Sequence, residues 1–517
     1  GTTATINAGT YEFDQFSANE IYTSGNVEVS KTANVSMVAG NSITLHPGFV
    51  AREGSEFNAT IGQKIWKKRY HYARYDDNDE TKRGQLVELE TNHNNDLIVD
   101  VTETYTYDDY GNMLSNTITE SAQDSYTINY TYDAHGGLKT KDYPGINILT
   151  YTYDYAGRLQ SYKEGSNTLL SYEYDNNGRI EQVSMHNGSI NRTYSYNSIG
   201  QVTSLEDEKF LQEFWYTTNG YNNEAFYDGN IAMERNTFKW KGTSYSVKYD
   251  YDNIGRIKTA DFTDNSYDLG VGTGNEMAYD VNGNILRKRL GSNTQNFSYY
   301  PNTNKIRNID GSGDDYFYDV MGNINETQDL RMQYDPYANL VKRTTIKPNN
   351  EVVRVGYGLG KNRMNKVFTD DSGNILYKLR YLSDGGLKPF KEVHTDATGN
   401  VTERYYIYGP EGLLAIKQSG NTYYMLKDYL GSIRVVVDQN NNVVNHYSYA
   451  TFGSMMSAPY SSVTDQISYQ YTGQEYDEET GLYNYTARLY DTDLGRFYAV
   501  DPQGQFHSPY NGMGNNP

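Results

Sequence analysis

The chain has 517 residues, 37% of them apolar, and its 54 tyrosines supply more than a quarter of that apolar share. The aliphatic remainder is thin for a globular core of this length, so a wall of stacked rings with wetted hydroxyls suits the composition better. A formal charge of −20 argues against a phosphate-binding surface and so against nucleic acid as a partner, and zero Cys excludes disulfides, thiol nucleophiles and thiolate zinc sites.

Residues 1–62 read as a small stacked β module. Short alternating runs such as Val27-Glu28-Val29, Val35-Ser36-Met37 and Ile43-Thr44-Leu45 are closed by Gly, Asn or Pro. The run from Ser42 to Ala59 resembles stacked-strand segments of Bacteroidota surface and secreted proteins, which implies a secreted or cell-surface bacterial protein exported by a route such as type 9 secretion. No apolar run is long enough to span a membrane as a helix. The opening Gly1-Thr2-Thr3 lacks both Met and a signal pattern, as in a mature or trimmed product. The basic cluster Lys67-Lys68-Arg69 beside Trp66 reads as a solvated junction, with the indole docked on a neighbouring module. Asp76-Asp77-Asn78-Asp79-Glu80 has the look of a calcium loop, yet Thr81 and Val87 stand where Gly and Glu are needed, so a solvated acidic loop is expected.

From Tyr105 a repeat takes over. Tyr151-Thr152-Tyr153-Asp154-Tyr155-Ala156-Gly157-Arg158-Leu159 returns 21 residues later as Tyr172-Glu173-Tyr174-Asp175-Asn176-Asn177-Gly178-Arg179-Ile180. The unit's Asp recurs at Asp108, Asp133, Asp154, Asp175, Asp252, Asp280, Asp319 and Asp335, with Asn197 in its place once. Its Gly follows three later at Gly111, Gly136, Gly157, Gly178, Gly200, Gly255, Gly283 and Gly322; only Ala338 breaks the set. Two Tyr two apart share one strand face, Asp accepts backbone N–H groups in a turn, Gly takes a positive φ, and the next residue starts the outgoing strand. Successive units then pair as antiparallel hairpins. Degenerate copies run on through Gly358, Asp370-Asp371-Ser372-Gly373 and Asp396-Ala397-Thr398-Gly399. Gly358-Leu359-Gly360-Lys361 lacks the spacing and the Ser or Thr of a phosphate loop, and Gly270 to Gly274 fails in the same way.

These copies resemble the YD repeats of the RHS family, related to toxin-complex C components and teneurins. The resemblance implies an all-β fold in which antiparallel hairpins spiral into a hollow cage over 63–421. From Tyr423 the text changes. Asp428-Tyr429-Leu430-Gly431, Tyr471-Thr472-Gly473-Gln474-Glu475-Tyr476-Asp477, Gly481-Leu482-Tyr483-Asn484, Gly495-Arg496-Phe497 and Asp501-Pro502 resemble the RHS core-associated domain, here 422–517.

In that family the domain plugs one end of the cage and acts as an aspartyl-type autoprotease that frees a C-terminal toxin. Carried onto this chain, Asp501 matches one catalytic Asp and Arg488 the associated basic residue. The family's second Asp and cleavage site belong after Asn515-Asn516-Pro517, so this chain alone is expected to lack a competent dyad. A plain turn role for Asp501 before Pro502 stays open, and Asp491 reads as a turn residue. The eight scattered His make no metal or His-based site, and no cofactor is expected. The implied partners are the chain's own C-terminal toxin, a secretion apparatus, and a capping or immunity protein; the implied setting is competition between bacteria. The rival reading is a cell-surface adhesin that binds glycan or protein through exposed Tyr and Asn.

Overall fold

The computed structural model describes backbone and side chains for residues 85–90, 101–120, 125–216, 229–335, 339–358, 361–456 and 467–516. For 3–6, 9–23, 27–44, 50–51, 56–61, 67–72, 91–92 and 460–461 it describes the strand backbone. The expectations placed on Trp66, on Asp76 to Glu80, and on Ala338, Leu359, Gly360 and Pro517 lie outside the described residues. Among those described, every element is a strand or a single turn of 3-10 helix, and no helix is long and apolar enough to cross a membrane. Contacts divide the chain into two units, Gly1–Ser166 and Asn167–Pro517.

The first unit opens with parallel strands. Gly9–Thr23 pairs in parallel with Thr3–Ile6 on one side and Val27–Thr44 on the other, and Val27–Thr44 also takes Val50–Ala51 and Glu56–Ile61. Parallel neighbours so close in sequence are what stacked rungs provide. Pairing then turns antiparallel, each strand with the next: Lys67–Tyr72, Leu86–Asn92, Val101–Tyr107, Met113–Glu120, Ser125–Tyr132, Leu138–Asp142, Leu149–Tyr153 and Leu159–Glu164.

In the second unit the same meander runs from Asn167–Tyr174 to Ile257–Phe262. A 4-stranded sheet follows from Ala278–Tyr279 to Ile306–Ile309, then a 14-stranded sheet from Phe317–Tyr318 to Tyr460–Ser461. A last 4-stranded sheet comprises Glu475–Asp477, Leu482–Asn484, Leu489–Asp491 and Arg496–Phe497. The all-β fold built of YD hairpins is thus as the sequence implies.

One repeat explains the rest. At Asp154 the backbone N–H donates to the Arg158 carbonyl at 2.9 Å and the Gly157 N–H to the Asp154 carbonyl at 3.0 Å. One carboxylate oxygen accepts the N–H groups of Ala156 and Arg158, each at 2.9 Å. Gly157 sits at φ +76°, which a side chain with a Cβ would strain, and the ladder skips a residue between Thr152 and Tyr153, a bulge. Arg158 does more than start a strand: its guanidinium folds back onto the other Asp154 oxygen at 2.7–2.8 Å. Asp335 solves the same problem with a wider loop, closing onto Leu340 while Asn339 takes the positive φ, +56°.

Successive turns are stitched by tyrosine. At four turns the Tyr that ends the incoming strand donates its hydroxyl to the carbonyl of the residue two beyond the previous turn's Gly. Tyr153 reaches Leu138 at 2.9 Å, Tyr196 reaches Ile180 at 2.6 Å, Tyr279 reaches Ile257 at 2.6 Å and Tyr299 reaches Ile285 at 2.6 Å. That carbonyl lies beside the bulge, where the ladder is interrupted, so the hydroxyl replaces a missing strand partner. Arginine adds a second stitch, the Arg179 guanidinium lying 4.3 Å over the Tyr196 ring and Arg256 4.5 Å over Tyr279. The stitches run beside an aliphatic core, with Val247, Ile257, Leu269, Ile285, Ile306 and Ile324 buried in one cluster of the second unit, and a second cluster lies in the C-terminal third. There Ile416, Met425, Ile433 and Val436 meet buried Tyr447, Tyr449, Tyr471, Tyr483 and Tyr490.

Candidate functional site

The segment 485–516 folds back on itself around two strands. Leu489–Asp491 pairs with Arg496–Phe497, and the N–H of Phe497 donates to the Tyr510 carbonyl at 2.9 Å. Four residues further, the Asp501 N–H donates to the Pro509 carbonyl at 2.9 Å, so 497–501 and 509–510 run side by side.

Asp501 is only 7% exposed. Its two carboxylate oxygens accept the backbone N–H groups of Gln503 at 3.1 Å and Gln505 at 3.4 Å, which is the turn role the sequence left open. Arg488 is brought to the same place: its Nη2 lies 3.6 Å from Asp501 Oδ1, and its Nη1 donates to the Pro509 carbonyl at 3.5 Å. The guanidinium also lies 3.8 Å over the Phe497 ring. Burial pulls the Arg488 guanidinium below its usual range, and the Asp501 charge opposes that pull. Two backbone amides and a guanidinium thus converge on one buried carboxyl group. Among the described residues no second carboxylate makes a hydrogen bond or ion pair with it.

Asp491 belongs to a neighbouring turn. Its Oδ1 accepts the N–H groups of Asp493 and Leu494 at 2.8 and 2.9 Å, its Oδ2 the Tyr498 hydroxyl at 2.9 Å, and burial pushes its carboxyl up. The repeat residues Asp108, Asp133, Asp154, Asp175, Asp252, Asp280 and Asp319 lie at hairpin corners, each with its Gly at positive φ, far along the chain from Asp501.

Three basic stations that sequence reasoning did not single out fasten this block to the wall. Arg363 donates to both Asp477 oxygens at 2.6–2.7 Å and to Glu475 at 3.0 Å, while Lys366 reaches Asp477 and Glu479. Burial alone would raise Asp477, but Arg363 and Lys366 outweigh it and hold the carboxyl below its usual range. Lys288 donates to the carbonyls of Thr492 and Asp493 at 3.3 and 2.7 Å. Arg496 bonds Tyr299, Asn284 and the Asn304 carbonyl. The one textual signal was the acidic run Glu475 to Glu479; nothing in the text pairs it with Arg363.

A family model described as Teneurin YD-shell matches residues 5–220 and 211–508. The chain is similar to Salivary gland surface protein 1 of Aedes aegypti, 36% identical over 194 residues that make up 36% of this chain and 6% of that protein. It is also similar to the tRNA3(Ser)-specific nuclease WapA of Bacillus spizizenii, 27% identical over 257 residues, 50% of this chain and 10% of that protein. Among solved structures, the crystal structure of TcdB2-TccC3 matches with a TM-score of 0.70 and 18% identity over 88% of this chain and 25% of that one, a likeness of fold. The chain spans a tenth or less of those two curated relatives.

Proposed function

The chain belongs to the teneurin YD-shell family, and from that premise we propose that it is the wall and end block of a shell that encloses a C-terminal toxin and releases it by aspartyl-type self-cleavage. The observation that carries this reading is the buried Asp501 carboxylate beside Arg488 in a chain built of YD-repeat hairpins. Similarity to a nuclease many times longer than the matched region supports a carrier of effector domains. Secretion or surface display follows from such a role, as does an immunity protein in the producer. The division into a stacked module at 1–62, a shell at 63–421 and an end block at 422–517 belongs to the same proposal.

In the reaction, Asp501 would take a proton from a water that attacks the scissile carbonyl, while a second, protonated carboxyl from the segment after Pro517 donates to the leaving amine. Arg488 holds the Asp501 charge in place. The test is a mass spectrum of a product extended beyond Pro517 by its natural sequence, with Asp501 intact and with Asp501→Asn. Cleavage of the first and persistence of the second are expected; equal cleavage of both overturns the reading.

A surface adhesin is the second reading. Tyr110 and Tyr155 stand almost fully exposed at turn tips of the first unit, where a folded wall gains nothing from them. Glycan-array binding lost on Tyr110→Ser with Tyr155→Ser, with self-cleavage absent, would favour it.

A further inference from the structure

Arg496 is 2% exposed, and among the described residues no carboxylate pairs with it. Its guanidinium is spent on neutral acceptors from two places. From the wall it takes the Tyr299 hydroxyl at 2.8 Å, the Asn304 carbonyl at 2.8 Å and Asn284 Oδ1 at 3.4 Å; from the tail it takes Ser508 Oγ at 3.4 Å. The rings of Tyr299 and Tyr510 flank it at 5.4 and 5.2 Å. The wall side is itself fixed, because Asn284 Nδ2 donates to Asp280 and to Asn304 Oδ1, each at 2.7 Å. A buried cation without a counter-charge costs more than an apolar side chain of its size, so stability alone does not account for it.

Its reach into the candidate site can be followed bond by bond. Ser508, fully buried, is held by Arg496 and by the Asn282 carbonyl, to which its N–H donates at 3.1 Å. The next residue, Pro509, offers the carbonyl that receives both the Asp501 N–H and Arg488 Nη1. Beyond it the Tyr510 hydroxyl donates to the Gly322 carbonyl, and Asn515 Nδ2 to the Gly283 carbonyl at 2.8 Å. The repeat turns at Asp280 and Asp319 thus cradle the segment whose carbonyl sets the Arg488–Asp501 pair.

We propose that Arg496 is a positioning residue for self-cleavage, coupling the Asp501 site to the repeat turns around Asn284, Tyr299 and Asn304, so that the cut is made only once that part of the wall has folded. This inference rests on the self-cleavage reading above.

The test follows the first-order cleavage of the naturally extended product across pH 5 to 9. Arg496→Gln is expected to slow cleavage at least ten-fold without changing the shape of the pH–rate profile, and Arg496→Lys to recover part of the rate. Ser508→Ala, which removes one acceptor and almost no volume, is expected to slow it several-fold, with no further loss when combined with Arg496→Gln. Wild-type rates in Ser508→Ala and Arg496→Lys overturn the inference, and so does full additivity of Arg496→Gln with Ser508→Ala. Asp501→Asn separates the two layers: if it cleaves, the self-cleavage reading has failed, whereas if it is uncut and the Arg496 and Ser508 variants cleave normally, only the positioning role has.

Discussion

The tyrosine stitch predicts that one chemical change, Tyr to Phe, has two sizes set by burial. Tyr196 donates to Ile180 at 2.6 Å where both residues are half-buried, whereas Tyr449 donates to Ile433 at 3.0 Å where the two are 4% and 0% exposed. Phe keeps the ring in both cases, including the Arg179 contact on Tyr196. At position 196 water can replace the lost donor, so Tyr196→Phe should cost about 0.5–1.5 kcal/mol, the net value of an ordinary hydrogen bond. At position 449 the Ile433 carbonyl is left without solvent, and the cost should rise to about 1–3 kcal/mol. Urea denaturation at fixed pH reads both, as a shift in midpoint at constant slope. Native-state amide exchange near Ile180 and Ile433 checks the result locally, since a chain of this length need not unfold in one step. Equal losses, or a larger one at 196, would refute the idea that the hydroxyl supplies the ladder bond the bulge removes.

Other consequences follow from the buried charges and the turns. Arg363→Met strands Asp477 and Glu475 with too little compensation and should cost about 3–5 kcal/mol in denaturant titrations. Because the folded Asp477 carboxyl is held below its usual value, the stability it contributes is present above about pH 4 and fades as pH falls through the lowered value; the variant should lose this acid-side slope. Lys427 behaves in the opposite sense: burial pushes it down to about 7, against the pull of Glu411 and with help from Lys388 and Arg192. Between there and about pH 10 the unfolded chain binds the extra proton, so wild-type stability rises with pH over that window. Lys427→Met should therefore raise Tm at pH 6 and lose that advantage by pH 10; a constant difference across the range would contradict it. Gly157→Ala, at φ +76° but with open space around the new Cβ, should cost about 1 kcal/mol. Gly453→Ala drives a Cβ into the buried Tyr471 ring and should abolish soluble expression at 37 °C.

The sequence by itself determined the repeating unit, because every bond that makes it is local. Asp154 bonds residues two and four further on, Gly157 answers one strained φ, and the tyrosines reach back one period, so the pattern can be read from one window of text. Where Asn441 replaces Gly at positive φ, the copy around Asp438 escapes the pattern although the turn is there, and at Asp335, whose Asp the pattern does catch, Asn339 takes the positive φ. Asp501 and Arg488 were legible through their motif, and the fold brings them within 3.6 Å. What only the tertiary structure decided is where the end block lands. Arg496 meets Asn284 across 212 positions and Arg363 meets Asp477 across 114, and neither pair shares a strand register or a period. A buried cation finds its partners by geometry after the wall has formed, and a linear text carries no mark of that meeting.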